Sequence, residues 1–326
     1  MHAHDLSTAV RECVSCHRCY DSTAQFCPDC LVELVGVELI PRLINERYRL
    51  DRVLNHGELG IVFAATDQQS GQQVAVKVIR AGAIADPRAQ DRFCREAQLA
   101  AGLNHPQLTA VYNFGMLHDA SAYTVTELIA GPALRTLRHE LKGASRFAPA
   151  RAVAVLAEIA DALSAAHKAG LVHRELKPEK IALLSALDQN PPQVKLFDFG
   201  FARIASGHSL AEKAAAKAKG QHMSAPTYLS PEQVRGEEPD LRADIYSLGA
   251  IGYEMMAGRP PFIAQGASEL GRKHLTEKPR PLRAVNAEVN ALLEAAILRA
   301  LEKEPAQRQQ RAAEFKSDLL AAMQLG

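Results

Sequence analysis

The stretch "LVHRELKPEKIALL", residues 171–184, decides the fold. It sets the charged side chains of Arg174, Glu175, Lys177, Glu179 and Lys180 between apolar ends. Directly before it, Ala150 to Ala169 carries apolar residues at helical spacing and stops at Gly170. Downstream, "FDFG" at 197–200 supplies Asp198, with Gly200 giving the backbone freedom. Upstream, from Tyr48 to about Leu128, the pattern is strand-like. "YRLDRVL", "GIVFAAT" and "QQVAVKVI" alternate or run apolar, and "DQQSG" reads as a hairpin turn. One helical segment, Arg88 to about Gly102, interrupts the strands, with Asp86 and Pro87 as cap and first turn. After Gly131 and Pro132 the character is helical, with further helices expected at 240–257, 288–302 and 310–323. A small twisted sheet with one main helix therefore precedes a larger helical body, an α+β arrangement.

At residues 54–62, "LNHGELGIV", a glycine-bearing turn joins two strands, and Gly57 and Gly60 let backbone N–H groups approach phosphates. "VAVK", Val74 to Lys77, follows on a strand, and Glu96 lies on the next helix in "RFCREAQLAAGLNHP". With the 171–184 stretch these segments resemble the serine/threonine protein kinase family of the bacterial, eukaryotic-like type. The resemblance implies a two-lobed fold in which Lys77 pairs with Glu96 and holds the first two phosphates of ATP. The family's first loop glycine is Asn55 here. "YTVTELIAG", Tyr123 to Gly131, is similar to the strand-to-hinge segment. By that match Thr126 guards a back pocket, backbone groups from Glu127 to Ile129 meet an adenine edge, and Val62, Ala75 and Leu183 form apolar walls.

The 171–184 stretch matches the family's HRDLKPEN at His173, Arg174, Leu176, Lys177, Pro178 and Glu179. Its two departures fall where the chemistry is done. The family's proton-accepting Asp is Glu175, whose extra methylene moves the carboxylate by about 1 Å and costs a few powers of ten in rate. The magnesium-binding Asn is Lys180, whose ammonium has no lone pair for a cation. An ammonium can instead neutralise phosphate charge in place of one magnesium. Asp198 is retained for magnesium. "SAPTYLSPEQ", 224–233, resembles the GTPxYxxPE stretch but carries Ala225 where the family has the threonine that ties the substrate-docking loop to the catalytic residues. "ADIYSLG" keeps Asp244, and "LEKEPAQR" keeps Arg308, which in the family pairs with the glutamate matched by Glu232.

Five of the six cysteines lie in the first 30 residues. Cys13 and Cys16 form one C-x-x-C hook and Cys27 and Cys30 another, as a tetrahedral zinc ion requires. Cys19 is spare, or replaces Cys13 in a tighter arrangement. The run through Tyr20 and Phe26-Cys27-Pro28 resembles zinc-ribbon knuckles that precede some bacterial serine/threonine kinases. The expected organisation is a flexible tail at 1–11, a knuckle at 12–31, a linker at 32–47 whose Pro41 limits regular structure, and a kinase domain at 48–322. Its N-lobe spans 48–128 and its C-lobe 132–322.

The chain has 326 residues and 47% hydrophobic composition, enough for such a core. Lys and Arg total 38 against 37 Asp and Glu, so no global field recruits nucleic acid or a membrane. No apolar run reaches the roughly 20 residues of a membrane span or forms a signal peptide, and a cytoplasmic location is expected. No receptor domain or membrane helix is expected after the kinase match.

The three departures at Glu175, Lys180 and Ala225 imply a pseudokinase that binds ATP or a protein partner and signals through shape. The alternative is an active or weakly active serine/threonine kinase with Glu175 as base. A third is transfer to a small molecule or of another group. Arg174 either meets a phosphate on Ser206, Ser209, Ser224 or Thr227 or bonds local carbonyls. The Lys-rich tract 210–221 either attracts an acidic partner or is a solvated loop.

Overall fold

Period-two alternation sets out the amino-terminal unit, Met1–Ala97 with Ala110–Ile129. The computed structural model describes residues 9–57, 59–84, 86–117, 119–131, 133–134, 146–184, 191–199 and 226–324, apart from the side chains of 38 and 39. Strands β1 (Ala9–Cys13), β2 (Cys19–Tyr20) and β3 (Leu34–Pro41) form an antiparallel sheet in the order β2-β1-β3. A second sheet has the order β4-β5-β6-β7-β9-β8. Its members are β4 (Leu43–Ile44), β5 (Tyr48–His56), β6 (Gly60–Asp67), β7 (Gln73–Ile79), β8 (Val111–Met116) and β9 (Ala122–Glu127).

Most of the connector expected at 32–47 is therefore strand, with a turn at 45–47 leading into β5. Pro41 does not prevent this because it is the last residue of β3, paired with Ala9, where a missing N–H costs little. Residues 9–11, expected in a tail, belong to β1. The inner faces of both sheets share one core, in which Val10, Cys19, Val37, Ile40 and Ile44 are buried with Leu50, Phe63, Val76 and Val125. The hairpin at "DQQSG" forms as expected, with Gly71 at φ +72° donating its N–H to the Asp67 carbonyl. Arg47 clamps the Asp67 carboxylate with two hydrogen bonds of 2.8 and 2.6 Å. That clamp, aided by Ser70 and the Gln69 amide, outweighs burial and holds Asp67 well below the usual carboxylate range. Helix α1 (Pro87–Ala101) starts where expected, because Asp86 accepts from the Arg88 amide at 3.0 Å.

The second unit, Gln98–Thr109 with Ala130–Gly326, is mainly helical. It contains α2 (Pro149–Lys168), α3 (Pro231–Arg235), α4 (Leu241–Ala257), α5 (Ala267–Thr276), α6 (Ala291–Ala300) and α7 (Ala312–Gln324), with a short hairpin of β10 (Ile181–Leu183) and β11 (Val194–Leu196). Four of these helices answer to the expected spans; α3 and α5 were not anticipated. Helix α4 is buried along nearly its whole length against α2 and α6. A methyl group at Gly249 would come within 2.7 Å of the Ala300 Cβ, which has no side-chain freedom to yield, so α4 packs closely on the end of α6 over glycine. No helix among the described residues is long and apolar enough to cross a membrane.

Candidate nucleotide and metal sites

In the helical unit the 171–184 stretch leaves α2 through Gly170 and runs back along β10. Asp244, on buried α4, anchors it. Its carboxylate accepts from the backbone N–H groups of His173 and Arg174, each at 2.8 Å, and from His167 Nε2 at 2.8 Å. Burial raises this carboxyl, but those donors and the histidine charges outweigh it and leave Asp244 below its ordinary value. The Arg174 backbone sits at φ +64°, a left-handed conformation that costs a non-glycine residue about 1 kcal/mol or more. Asp244 at its amide and Gln233 Nε2, 2.6 Å from its carbonyl, hold it there. Burial pushes the fully enclosed His173 ring below its ordinary value.

The two departures in this stretch are both ion-paired. Lys177 Nζ lies 2.5 Å from Glu175 Oε1, and Lys180 Nζ contacts Asp198 Oδ2. The Lys180 and Asp198 side chains are each 16% exposed. Burial opposes the charge on Lys180, but Asp198 and Glu175 raise it above its ordinary value. Burial likewise raises Glu175, and the ammoniums of Lys180 and Lys177 outweigh it and bring it down. Lys180 therefore folds toward the retained acidic ligand. The donor set fits a magnesium ion poorly: one of two family ligands is an ammonium, and that ammonium neutralises the other. The same ammonium suits the phosphate oxygens of ATP. Glu232 and Arg308 form the expected buried pair, with two bonds of 2.8 Å. The remaining arginine donors reach the carbonyls of Arg242, Glu302 and Lys303. Gly200, Ser206, Ser209, Ser224, Ala225 and the 210–221 tract lie outside the described residues. Leu183, expected as an apolar wall, is buried on β10.

In the sheet unit, the turn after β5 is closed by Gly57 N–H donating to the Gly60 carbonyl at 2.8 Å. A Cβ at Gly60 would lie 1.9 Å from the Val78 carbonyl oxygen, so strand packing itself requires glycine there. Asn55, at the family's first glycine, pairs with Val62 just past a register shift between Val53 and Asn55. Lys77 lies on β7 between Val62 of β6 and Thr124 of β9, and Ala75 is flanked by Ala64 and Thr126. Glu96 is nearly buried on α1. Glu127 closes β9 and donates its N–H to the Ala110 carbonyl at 3.0 Å, while Ile129 ends the unit, half-buried.

The four knuckle cysteines converge. The sulfurs of Cys13, Cys16, Cys27 and Cys30 lie within 4.8 Å of one another. The two hooks repeat one hydrogen-bond pattern: His17 N–H to the Cys13 carbonyl at 2.8 Å, and Leu31 N–H to the Cys27 carbonyl at 2.9 Å. His17 and Leu31 both take positive φ, 60° and 57°. A tetrahedral ion with ~2.3 Å metal–sulfur bonds sets its thiolates about 3.8 Å apart. Cys16 and Cys27 stand at 3.8 Å, so the donor set fits zinc. Cys19 is not in the group; it is buried in the shared core, and Cys13 keeps its place. Sequence reading missed Glu12, a buried carboxylate between His17 (2.8 Å) and His56 (3.1 Å). Its partners lie 5 and 44 positions away, so no local spacing signals it.

Over residues 48–321 the sequence matches the protein kinase domain family. It is 39% identical over 285 residues to the serine/threonine-protein kinase PknB of Mycolicibacterium smegmatis, an alignment covering 86% of this chain and 43% of that protein. It is 37% identical over 286 residues to the serine/threonine-protein kinase pkn3 of Myxococcus xanthus, covering 87% of this chain and 51% of that protein. The chain thus spans about half or less of the length of these curated relatives. In fold it is similar to the crystal structure of the Mycobacterium tuberculosis PknI kinase domain, with a TM-score of 0.67 at 24% identity, covering 87% of this chain and 99% of that one.

Proposed function

From the premise that the chain belongs to the protein kinase family, we propose that it is an ATP-binding regulatory member, a pseudokinase that signals to a protein partner through shape. One observation carries this reading: Lys180 Nζ sits on the Asp198 carboxylate, the one magnesium ligand that the sequence retains. ATP supplies phosphate charge for Lys77, for the backbone N–H groups of the Gly57–Gly60 turn and for Lys180 to meet. By the family resemblance the adenine edge falls to the backbone of Glu127 to Ile129, with Thr126 guarding the back pocket, Val62, Ala75 and Leu183 as apolar walls, and Glu96 as the partner of Lys77. The four knuckle thiolates hold one structural zinc ion in a closed site. Reduced thiolates and ATP coexist in cytoplasm, which is where we place this unit.

A second reading, an active serine/threonine kinase, rests on the Glu175 carboxylate, which stays anionic beside Lys177 as a base must. Calorimetry of ATP binding with and without magnesium separates the two, run on the sample used for radiolabelled autophosphorylation and generic-substrate assays and for metal analysis. Binding without transfer, with one zinc per chain, is the expected result. Transfer abolished by Glu175→Ala supports the kinase reading, and failure to bind ATP overturns both.

A further inference from the structure

The knuckle and the glycine turn are expected to do separate work, yet one buried carboxylate joins them. Glu12, on β1 next to the ligand Cys13, has a side chain only 6% exposed. One of its oxygens takes the ring of His17, the residue after the ligand Cys16, at 2.8 Å. The other takes the ring of His56, the residue before Gly57, at 3.1 Å. The backbone makes a second link: Val53 N–H donates to the His17 carbonyl at 2.8 Å, and Arg18 forms an antiparallel β-bridge with Arg52.

A cleft of about 350 Å³ opens beside this bridge, walled by Glu12, His17 and His56 with Val35, Val37 and Ile61. His56 and Ile61 are the paired residues at the two roots of the turn. Val37 and Ile61 reach this cleft from the shared core, so packing and the backbone links hold the base of the turn, and the hydrogen bonds through Glu12 add a side-chain restraint at its entrance. On the other side, Arg80 Nη1 donates to the Gly57 carbonyl at 3.1 Å.

We infer that Glu12 is a positioning residue through which metal occupancy of the knuckle sets the affinity of the glycine turn for nucleotide. The inference rests on the ATP and zinc readings above. The ion fixes Cys13 and Cys16, their neighbours Glu12 and His17 are fixed with them, and His56 is held at the entrance to the turn. Loss of the ion by chelation frees the hooks and so frees the turn. Coupling between bound ligands is reciprocal, so nucleotide must also tighten the hold on zinc.

The test uses the full chain and measures its zinc affinity by equilibrium competition with a chromogenic chelator, with and without saturating ATP. The parent protein is expected to hold zinc about 5- to 10-fold more tightly with ATP present. His56→Ala, at a half-exposed position, is expected to keep one zinc per chain and measurable ATP binding while losing that dependence. Glu12→Gln, which keeps the volume and part of the bonding, should retain a fraction of it. Cys27→Ser with Cys30→Ser should lose zinc and bind ATP about 5- to 10-fold more weakly. Zinc and ATP both bound with no mutual effect, or an effect that survives His56→Ala, overturns the inference and leaves the proposed function standing. Absence of either ligand removes that reading and the coupling together.

Discussion

Replacing Lys180 by Asn restores the family's neutral ligand and removes a cation from Asp198. The two side chains are each 16% exposed, so solvent screening is partial. Unit charges about 4 Å apart near a protein surface interact by about 4 kcal/mol. Ordering of the long lysine side chain and residual solvent reduce the net value to about 2 kcal/mol, roughly a 30-fold change in an equilibrium constant. The parent protein should bind ATP with an affinity that magnesium alters by no more than about 3-fold, because the ammonium already supplies the charge. In Lys180→Asn the affinity without magnesium should fall by about 30-fold, and magnesium should restore it. Titration calorimetry in chelator and in excess magnesium reads both numbers. If the variant remains indifferent to magnesium, Lys180 is not the counter-ion, and the reasoning from its contact with Asp198 fails.

Restoring Glu175→Asp, Lys180→Asn and Ala225→Thr together should raise radiolabel transfer by about 100-fold or more, the usual worth of a placed base; no gain with ATP still bound would locate the damage elsewhere. Glu232→Gln leaves the fully buried Arg308 without its counter-charge and should lower unfolding free energy by about 3 to 5 kcal/mol in denaturant titrations. A loss below about 1 kcal/mol would show the pair to be dispensable. Asp67 is held below the ordinary carboxylate range by Arg47, so its contribution is present above about pH 4 and drains away as pH falls toward the folded value. Asp67→Asn should flatten the acid limb of stability measured by urea midpoints from pH 7 to pH 3, and an unchanged limb would rule that clamp out.

The parts legible in the sequence are those where one short motif carries its own chemistry. The glycine turn, the doubled C-x-x-C, the Glu232–Arg308 pair and the long α2 could all be read from spacing or from family resemblance. Strand β3 was obscured by Pro41, which looks like a breaker until its place at the strand end is known. Helix α5 buries Leu270, Gly271 and His274, and a glycine with a histidine gives no apolar period. Strands β10 and β11 have three residues each, too few for alternation to register. The direction of Lys180 depends on Asp198, 18 positions away, and on neighbours that no linear pattern encodes. The Glu12 bridge was invisible for the same reason.

The shared core of the two amino-terminal sheets bears on inheritance as well as stability. The family match begins at Tyr48, yet Val10, Val37, Ile40 and Ile44 are buried with residues beyond that point. A gene fragment cut at residue 48 would bare an apolar face worth about 1.5 to 3 kcal/mol for each large side chain uncovered. Recombination that moved the cysteine finger onto another kinase would carry half an interior without its complement. Finger and lobe are thus expected to pass between genes as a single cassette, their facing residues changing in concert.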